Sequence, residues 1–383
     1  MRESRAEVGY AATFFRFFAG QLALLSPKDL EQRIRGCSWT ICHRPAGVAA
    51  VITPWNFPLA MMAKKISAAL AADCSVVAKP SELTPLSAIA LCHLMERAGI
   101  PAGKLNLIIG QPIPIGQMLC QHPSIRVISF TGSTATGKLL LRESSGHIKR
   151  LTLELGGNAP LLVFEDADLE LAVEELMANK FRCAGQTCVC VNRVYVHSDV
   201  LPPFAEALAS SVAKLRLGNG MNADTDIGPL IHRAAFEKVS LHVSEAMYQG
   251  AQRVVGHDPQ SPQHKHGCFY PPTVLVGANH TMKVFQEETF GPVVVVASFH
   301  SEEEALCLAN ETPYGLAAYA FTSDSERVQR CSRELQFAHV GLNTGTGPTP
   351  KAPFGGMKQS GMGREGGAEG LAEFLETQTI VKA

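Results

Sequence analysis

The sequence predicts an α/β protein with two α/β domains and a small β extension, because strand-like and helix-like segments alternate along most of its length. Four β-prone runs, at residues 47–53, 74–79, 104–110 and 126–131, are separated by segments rich in Ala, Leu and Ile. This alternation is typical of βαβ units that build a parallel sheet. The same pattern starts again after Gly157, which predicts the second domain.

Three helices are predicted between the first strands, at residues 59–72, 84–98 and 113–120. Pro85, near the start of the second of these segments, and Gly99, just after its end, are residue types that commonly begin and end helices. The predicted helices and strands therefore have local start and stop signals as well as the right periodicity.

The second half of the chain follows a fifth predicted strand at residues 149–155. Its predicted strands lie at residues 161–164, 193–197, 293–299 and 315–322, and its predicted helices at residues 169–182, 200–215, 302–309 and 325–335. Asp168 precedes the first of these helices and is a favourable N-cap. The polar, Pro-rich segment at residues 256–266 predicts a surface loop.

Two β-prone segments, at residues 34–44 and 374–381, belong to neither alternating pattern. We expect them to pair with each other and to present a strand edge to another subunit. They constitute the predicted small β extension.

Composition excludes several classes of function. The chain has 383 residues, of which 46% are hydrophobic and 18% charged, with a formal net charge of −1. This balance provides no electrostatic basis for binding nucleic acid or an anionic membrane. The apolar stretch at residues 10–25 is interrupted by Arg16 and Gln21, which favours an amphipathic helix over a membrane span or a signal peptide.

The cysteines and histidines indicate neither a disulfide scaffold nor a metal site. Eleven cysteines are scattered from Cys37 to Cys331 without regular spacing. In a chain of this length they predict reduced thiols in a cytoplasmic protein. The histidines do not have metal-ligand spacing, so no metal is expected.

A candidate nucleophile lies in the run FRCAGQTCVC at residues 181–190. The turn residue Gly185 stands between a predicted helix and a predicted strand, where Cys188 can be exposed at the mouth of a cleft and act as a thiolate. Most cysteines are inert core residues, so this run alone is weak evidence. A zinc site formed by Cys183, Cys188 and Cys190 is excluded because the spacing is wrong and the set incomplete.

Three further segments suggest chemistry, and each also has an ordinary structural interpretation. Strand alternation places Glu154 and Thr152 on one face, where Glu154 is either a base or a solvated carboxylate. Asn56 follows a strand in PWNFP and is either an oxyanion donor or a turn former. The Gly-rich turn FTGSTATG at residues 130–137 suits a phosphate at a helix N-terminus, although such turns are common.

Taken in order, these motifs resemble the signature series of the aldehyde dehydrogenase superfamily. The series is PWNFP (54–58), KPSE (79–82), FTGSTATG (130–137), LELGG (153–157), FRCAGQTC (181–188), EETFGP (287–292) and PFGGMKQSGMGREGG (353–367). The resemblance covers nearly the whole chain. Within the superfamily, GQTCVC and the preceding FR are most similar to succinate-semialdehyde dehydrogenases.

The resemblance implies a covalent mechanism for oxidising an aldehyde to a carboxylic acid. Cys188 attacks the carbonyl to give a thiohemiacetal, while Asn56 and the backbone N–H of Cys188 hold the oxyanion. Hydride transfer to NAD(P)+ leaves a thioester, and Glu154 activates the water that hydrolyses it.

The resemblance also implies which residues bind NAD(P). They are Trp55, Lys79 and Glu82 on the adenosine side, Gly132, Ser133 and Gly137 beside the pyrophosphate, Glu288 on the nicotinamide ribose, and Phe290 against the nicotinamide. A carboxylate at Glu82 accepts a hydrogen bond from a ribose 2′-OH and repels a 2′-phosphate, which favours NAD. Lys79 and Ser81 leave NADP possible.

The resemblance assigns roles to the predicted domains. Residues 1–33 and 48–154 are expected to form a Rossmann-like cofactor-binding domain, and residues 155–354 an α/β catalytic domain. Residues 34–47 and 370–383 are the expected oligomerisation strands of a homo-oligomer, either a dimer or a tetramer. The protein is expected in the cytoplasm, with a small aldehyde as its partner.

The sequence departs from the family at its start and near the nucleophile. Relatives carry a longer segment before the point that matches Met1, so we expect a chain that lacks the family's N-terminal part, with a catalytically impaired or silent protein as the alternative. Cys183 stands where relatives usually have Asn. Relatives with GQTCVC can form a disulfide at the positions of Cys188 and Cys190, which implies a redox switch with Cys183 as a second resolving thiol. The alternative is that Cys190 merely begins a buried strand.

The substrate-recognition residues of succinate-semialdehyde enzymes are matched only in part. Arg182 matches one of the two recognition arginines of these enzymes, whereas Lys64 occupies the position of the other. Pro348 replaces a serine in the loop TGTGPTPK at residues 344–351. A lysine pairs with a carboxylate but cannot form a bidentate fork. We therefore expect succinate semialdehyde or a related semialdehyde, with another small aldehyde as the alternative. A CoA-acylating reaction is disfavoured, because it would not need Glu154 as a hydrolytic base.

Overall fold

The computed structural model describes residues 1–30, 34–257 and 267–383. Most of the predicted loop at residues 256–266 lies outside the described residues. The chain divides into two compact units. The first unit comprises residues 2–155, 348–355 and 361–383, and the second comprises Met1 and residues 156–347 and 356–360.

Residues 2–155, the longest segment of the first unit, alternate between helices and strands. In chain order these elements are α1 (Arg2–Gly20), β1 (Lys28–Asp29), β2 (Ser38–Pro45), β3 (Val48–Ile52), α2 (Ala60–Ala71), β4 (Ser75–Lys79), α3 (Leu86–Arg97), β5 (Leu105–Leu107), α4 (Pro112–Gln121), β6 (Ile125–Thr131), α5 (Thr134–Glu143) and β7 (Arg150–Glu154). A single 3-10 turn at Leu22–Leu25 follows α1.

The remaining elements are β8 (Ala159–Val163), α6 (Leu169–Lys180), β9 (Val191–His197), α7 (Leu201–Val212), α8 (Arg233–Tyr248), β10 (Gln252–Val255), β11 (Thr273–Val276), α9 (Lys283–Gln286), β12 (Val293–Phe299), α10 (Glu302–Asn310), β13 (Tyr314–Gly315), β14 (Ala317–Phe321), α11 (Ser325–Glu334), β15 (His339–Leu342), β16 (Met357–Lys358), β17 (Gly361–Met362), α12 (Gly367–Ala372) and β18 (Leu375–Lys382). A 3-10 turn at Arg182–Gly185 follows α6.

The first unit is built on a six-stranded sheet in the order β17-β7-β6-β3-β4-β5. All neighbouring pairs are parallel except β17 and β7. Strands β3 and β6 read as nearly continuous apolar runs and are almost wholly buried, as expected of parallel strands covered on both faces. The βαβ pattern predicted for the first half of the chain is confirmed.

The first unit also contains a three-stranded sheet in the order β1-β2-β18. Strand β18 pairs antiparallel with β2 along its whole length, from Leu375 opposite Pro45 to Lys382 opposite Ser38. The predicted pairing of the two isolated β-prone segments is therefore confirmed. Their role in contacting another subunit remains a prediction.

The second unit is built on a seven-stranded sheet in the order β10-β11-β12-β9-β8-β14-β15. Only the β10–β11 pair is antiparallel. Strand β12, with the sequence VVVVASF, lies inside this sheet and is almost completely buried. The second predicted α/β domain is thus present, while the roles assigned to the two domains remain predictions. Residues 348–355 belong to the first unit, although the predicted boundary placed them mostly in the catalytic domain.

Local signals explain several helix ends. The Asp168 side chain accepts a hydrogen bond from Leu171 N at the start of α6, as the sequence predicts. Gly99, at φ 87°, follows the end of α3. Helix α1 buries Ala11, Phe14 and Phe18 on one face, which confirms the predicted amphipathic helix. None of the helices in the described ranges is long and apolar enough to cross a membrane.

Candidate active site

The candidate nucleophile Cys188 lies in the second unit, in the connection between α6 and β9. Three consecutive residues before it, Cys183, Ala184 and Gly185, have φ values of 51°, 55° and 75°. This left-handed turn reverses the chain after α6 and leads it into β9. A Cβ atom on Gly185 would overlap the carbonyl oxygen of Gly291, so only glycine fits there. Cys188 is partly exposed, as the sequence predicts.

The segment that connects α6 to β9 is held by hydrogen bonds both before and after Cys188. The Tyr319 hydroxyl donates to Val189 O at 3.0 Å, and Val191 N donates to the side-chain oxygen of Asn179 at 2.9 Å. The Gln186 side chain accepts from Ile231 N at 3.0 Å and donates to Cys183 O at 3.0 Å. These contacts fix the backbone that carries Cys188, which favours a single orientation of the nucleophile.

Cys190 is buried at the start of β9. Its sulfur lies 2.8 Å from the Thr187 hydroxyl and donates to Asn179 O at 3.4 Å. Cys183, Cys188 and Cys190 form no disulfide with any of the described residues. The redox role predicted for Cys190 and Cys183 remains a prediction.

Arg182 stands just after α6 and is exposed. A Cβ atom on Gly347 would lie 3.7 Å from Nη2 of Arg182, so the backbone at Gly347 passes beside the guanidinium. Residues 344–347 begin the segment in which the sequence predicts substrate recognition. Arg182 and this part of the predicted segment are therefore neighbours in the second unit.

Glu288 follows α9 and is half-buried. Its carboxylate accepts a hydrogen bond from Gly157 N at 3.1 Å. Desolvation raises the pKa of Glu288 to about 7, against the opposing effects of the Gly157 N–H, Lys238 and Lys180. Lys238 Nζ also donates to Glu288 O at 3.0 Å, so both the side chain and the backbone carbonyl of Glu288 are hydrogen-bonded. Phe290, two residues later, is half-buried.

Glu154 ends strand β7 in the first unit, and 3% of its surface is exposed. Neither of its carboxylate oxygens has a hydrogen-bond partner among the described residues. Burial, and then the nearby Glu365 carboxylate, raise the pKa of Glu154 well above its ordinary value, while Lys64 and Lys65 oppose this rise. A buried carboxylate with unused lone pairs is suited to accept a proton from water.

Next to Glu154 is a buried charge cluster formed by Lys64, Lys65 and Glu365. Lys64 Nζ lies 2.9 Å from Glu365 Oε2, and Lys65 Nζ donates to Glu365 Oε1 and to Ser129 Oγ. The sequence predicted Lys64 as a substrate contact, but its ammonium is buried and already paired. Its contact with a substrate carboxylate remains a prediction.

Sequence reasoning did not single out Lys65 or Glu365. The available signals were the consecutive lysines after PWNFP and the acidic residue in GREGG. Neither signal indicates that the two segments meet, since Lys65 and Glu365 are 300 residues apart in the chain.

The predicted oxyanion donor Asn56 lies in the turn after β3. Its side-chain oxygen accepts a hydrogen bond from Phe57 N at 3.1 Å. This contact uses the oxygen end of the amide. The NH₂ end is the donor that a role toward an oxyanion would require.

The predicted cofactor residues of the first unit follow three neighbouring strands. Strands β4, β3 and β6 are adjacent and parallel. Because the carboxyl ends of parallel strands meet at one edge of a sheet, the segments after them share that edge. Lys79 ends β4, and Ser81 and Glu82 follow it. Trp55 and Asn56 follow β3, and Gly132 and Ser133 follow β6.

The contacts of these residues are compatible with a dinucleotide. Ser133 caps α5 by accepting a hydrogen bond from Thr136 N at 3.2 Å. A Cβ atom on Gly137 would lie 2.5 Å from Leu155 Cδ2, so glycine lets α5 pack closely against the sheet. A strand, a Gly-containing turn and a capped helix N-terminus form an arrangement that receives phosphate groups.

The candidate adenosine-side residues form an ion pair. Lys79 Nζ lies 3.1 Å from Glu82 Oε2 and donates to Pro80 O at 2.9 Å. The Glu82 side chain is 43% exposed, whereas that of Lys79 is 5% exposed. Ser81 accepts a hydrogen bond from Leu83 N at 3.2 Å and thereby stabilises the turn.

Comparison with known proteins identifies a matching family and similar aldehyde dehydrogenases. A family model described as the aldehyde dehydrogenase family matches residues 1–380. A 3-sulfolactaldehyde dehydrogenase of Pseudomonas putida is 45% identical over 380 residues, which are 99% of this chain and 78% of that protein. Succinate-semialdehyde dehydrogenase (NADP(+)) 1 of Schizosaccharomyces pombe is 46% identical, over 99% of this chain and 76% of that protein.

A solved structure supports the same grouping. The crystal structure of a succinate-semialdehyde dehydrogenase from Burkholderia pseudomallei is similar to this chain with a TM-score of 0.97 and 46% sequence identity. The similarity covers 100% of this chain and 79% of that one.

Proposed function

The chain belongs to the aldehyde dehydrogenase family, and on this premise we propose that it oxidises a short aldehyde with a distal anionic group to the carboxylic acid. Succinate semialdehyde is the representative substrate. The family match and the relatives support oxidation with NAD(P)+ through a cysteine. The observation that carries the hydrolytic part of this proposal is the buried Glu154 carboxylate, whose oxygens are without partners among the described residues.

In the proposed first half-reaction, the Cys188 thiolate attacks the carbonyl carbon of the aldehyde. A C–S bond forms, and the carbonyl π electrons move to the oxygen, which becomes an oxyanion. The Asn56 amide and the Cys188 backbone N–H donate to that oxygen. Bound NAD(P)+ supplies the acceptor for the hydride that leaves the same carbon. When the C=O bond re-forms, Cys188 carries a thioester.

In the proposed second half-reaction, Glu154 takes a proton from water, and the hydroxide oxygen attacks the thioester carbon. The C–S bond breaks, the acid leaves, and Cys188 returns to a thiolate. Glu154 must be deprotonated to begin this step. The positive charges of Lys64 and Lys65 favour that form, against the rise in its pKa that burial and the Glu365 carboxylate cause.

For cofactor binding we propose that Trp55, Lys79, Ser81 and Glu82 hold the adenosine half, with Gly132, Ser133 and Gly137 beside the pyrophosphate. Glu288 would accept hydrogen bonds from the nicotinamide ribose, and Phe290 would pack against the ring. The exposed Glu82 favours NAD, because a 2′-phosphate would meet a carboxylate. The relative from Schizosaccharomyces pombe is named for NADP, and Lys79 beside Glu82 makes NADP usable as well.

For substrate recognition we propose Arg182 as the main contact of the distal anion. This residue is exposed, and its guanidinium lies beside Gly347. Lys64 is a secondary candidate, since its ammonium is already paired with Glu365. Both relatives compared above are named for aldehydes that carry an anionic group, which agrees with a cationic recognition residue.

We also propose a homo-oligomer in the cytoplasm. The outer strand β18 has mostly exposed residues and, within the described part of the chain, is paired on one side only, with β2. An eight-residue strand edge of this kind is a natural place for another subunit to pair.

The proposed activity is tested by following reduced nicotinamide with the purified chain, succinate semialdehyde and either NAD+ or NADP+. Butanal serves as the uncharged aldehyde. We expect a lower KM for succinate semialdehyde than for butanal, and an Arg182→Ala variant should lose this difference. Cys188→Ala should be inactive. The substrate proposal is wrong if butanal is used as well as succinate semialdehyde, and the enzymatic proposal is wrong if Cys188→Ala retains activity.

A further inference from the structure

Helix α6 holds the segment at residues 344–347 through two of its side chains. Glu175 Oε2 accepts a hydrogen bond from Gly345 N at 2.5 Å and another from the Thr344 hydroxyl at 3.2 Å. One turn later on α6, Asn179 donates from its amide nitrogen to Gly345 O at 3.0 Å. Both backbone groups of Gly345 are therefore bound to the same helix.

The approach of this segment to α6 is too close for any side chain at Gly345. A Cβ atom there would lie 2.8 Å from Glu175 O and 3.3 Å from Asn179 Cβ. The segment also has its own internal hydrogen bonds. The Thr344 and Thr346 hydroxyls are 2.7 Å apart, and His339 Nε2 lies 2.8 Å from Thr346 O.

The segment at residues 344–347 contacts Glu175 near one end and lies beside Arg182 at the other. Gly345 is bound beside Glu175, and Gly347 lies next to the Arg182 guanidinium. Arg182 itself stands two residues beyond the end of α6. Helix α6 thus binds the segment directly and also leads into the turn that begins with Arg182.

We propose that Glu175 is a positioning residue that holds residues 344–347 against Arg182 and thereby sets the selectivity for aldehydes with a distal anionic group. This inference rests on the proposed function, because it assigns Arg182 to the substrate. Glu175 does not touch the substrate. It acts by limiting the positions of the segment that borders the guanidinium, so that Arg182 is presented in one geometry.

A negative charge near an anion-binding arginine would ordinarily weaken binding. In this protein Glu175 Oε2 is engaged by two donors, the Gly345 N–H and the Thr344 hydroxyl. Hydrogen bonds to a charged acceptor are stronger than those to a neutral acceptor, so the carboxylate binds these two donors more strongly than an amide would. We therefore expect the Glu175 carboxylate to bind the segment at residues 344–347 and not the substrate.

The test compares Glu175→Ala with Glu174→Ala, which removes an exposed carboxylate from the adjacent position of the same helix. Loss of a charge-assisted hydrogen bond should raise the KM for succinate semialdehyde about tenfold in Glu175→Ala. The KM for butanal and the kcat for both aldehydes should stay within about twofold of the wild type. Glu175→Gln, which keeps an acceptor, should recover most of the lost selectivity, and Glu174→Ala should match the wild type.

Hydrogen exchange provides a readout that does not depend on turnover. The Gly345 amide should be protected in the wild type and in Glu174→Ala, and should lose protection at least about tenfold in Glu175→Ala. The proposal is overturned if KM rises equally for both aldehydes, or if the Gly345 amide keeps its protection. A wild type without preference for succinate semialdehyde would overturn the substrate proposal instead, and the selectivity role with it.

Discussion

Lys64 Nζ and Glu365 Oε2 form a buried ion pair at 2.9 Å in the first unit, next to Glu154. Lys65 binds the other oxygen of Glu365, so two cations share one carboxylate. The positive charges of Lys64 and Lys65 favour the ionised form of Glu154, whereas burial and the Glu365 carboxylate favour the protonated form. This relationship assigns Lys64 an effect on the base that is separate from any contact with substrate.

The first prediction concerns Lys64→Met. Removing this cation takes away one of the charges that lower the pKa of Glu154, so that pKa should rise further. The base works deprotonated, so hydrolysis should increase with pH over a range that lies at higher pH than in the wild type. The measurement is the pH profile of steady-state turnover with butanal, where no substrate carboxylate takes part.

The control for this prediction is Lys64→Arg, which keeps the charge and should keep the profile. Lys64→Met should also lower the free energy of unfolding by about 1–3 kcal/mol, since Glu365 retains only Lys65. An unchanged pH profile in a folded Lys64→Met protein would contradict the proposed electrostatic effect.

The second prediction separates the two half-reactions at Glu154. Glu154→Gln has nearly the same shape but cannot accept a proton from water. It should produce one burst of reduced cofactor and then stall by at least about a hundredfold in steady state, because the thioester persists. Rapid mixing with absorbance detection measures both phases, and the accumulated acyl-enzyme is visible by mass spectrometry. Normal steady-state turnover would remove Glu154 from the role of base.

The third prediction concerns the choice between NAD and NADP. Glu82→Gln removes the carboxylate that would repel a 2′-phosphate, and it releases Lys79 from the ion pair at 3.1 Å. The ratio of kcat/KM for NADP+ to that for NAD+ should rise at least about tenfold. Glu82→Asp, which keeps the charge, is the control. If Glu82→Gln leaves the ratio unchanged, Glu82 does not face the 2′ position.

The fourth prediction follows from the left-handed backbone at Cys183. Its φ of 51° is unfavourable for cysteine, whereas asparagine adopts this region more readily. Cys183→Asn should therefore raise the free energy of unfolding by about 0.5–1 kcal/mol, seen as a higher urea midpoint with an unchanged m value. Cys183→Ala removes the same thiol without the conformational gain, and equal effects of the two substitutions would contradict the strain argument.

Local patterns and ordered motifs in the sequence could predict much of this molecule. The turn before Cys188 and the strand character of the segments near Pro45 and Leu375 follow from residue types along short segments. The surroundings of Glu154 could not be predicted in that way. They depend on a contact between Lys65 and Glu365 across 300 residues of chain, and no local pattern encodes which buried lysine meets which carboxylate. For the same reason the sequence assigned Lys64 to the substrate and missed its pairing with Glu365.

The last prediction is a reversible oxidation centred on Cys188. Peroxide would convert the Cys188 thiolate to a sulfenic acid with release of hydroxide, and a neighbouring thiol would attack the sulfenic acid sulfur to form a disulfide with release of water. Cys190 is separated from Cys188 by one residue, but its sulfur is buried and lies 2.8 Å from the Thr187 hydroxyl. A bridge between them requires Cys190 to leave this contact. Because such a short loop is also strained, the disulfide should be reduced easily.

The test treats the wild type, Cys190→Ser, Cys183→Ser and the double variant with mild peroxide and then dithiothreitol. If Cys190 resolves the sulfenic acid, the wild type and Cys183→Ser should recover activity, whereas Cys190→Ser should lose it irreversibly as oxidation proceeds to the sulfinic acid. Recovery in Cys190→Ser that disappears in the double variant would assign the resolving role to Cys183. Recovery in the double variant equal to that of the wild type would exclude both neighbours, because no disulfide with either could then have protected Cys188.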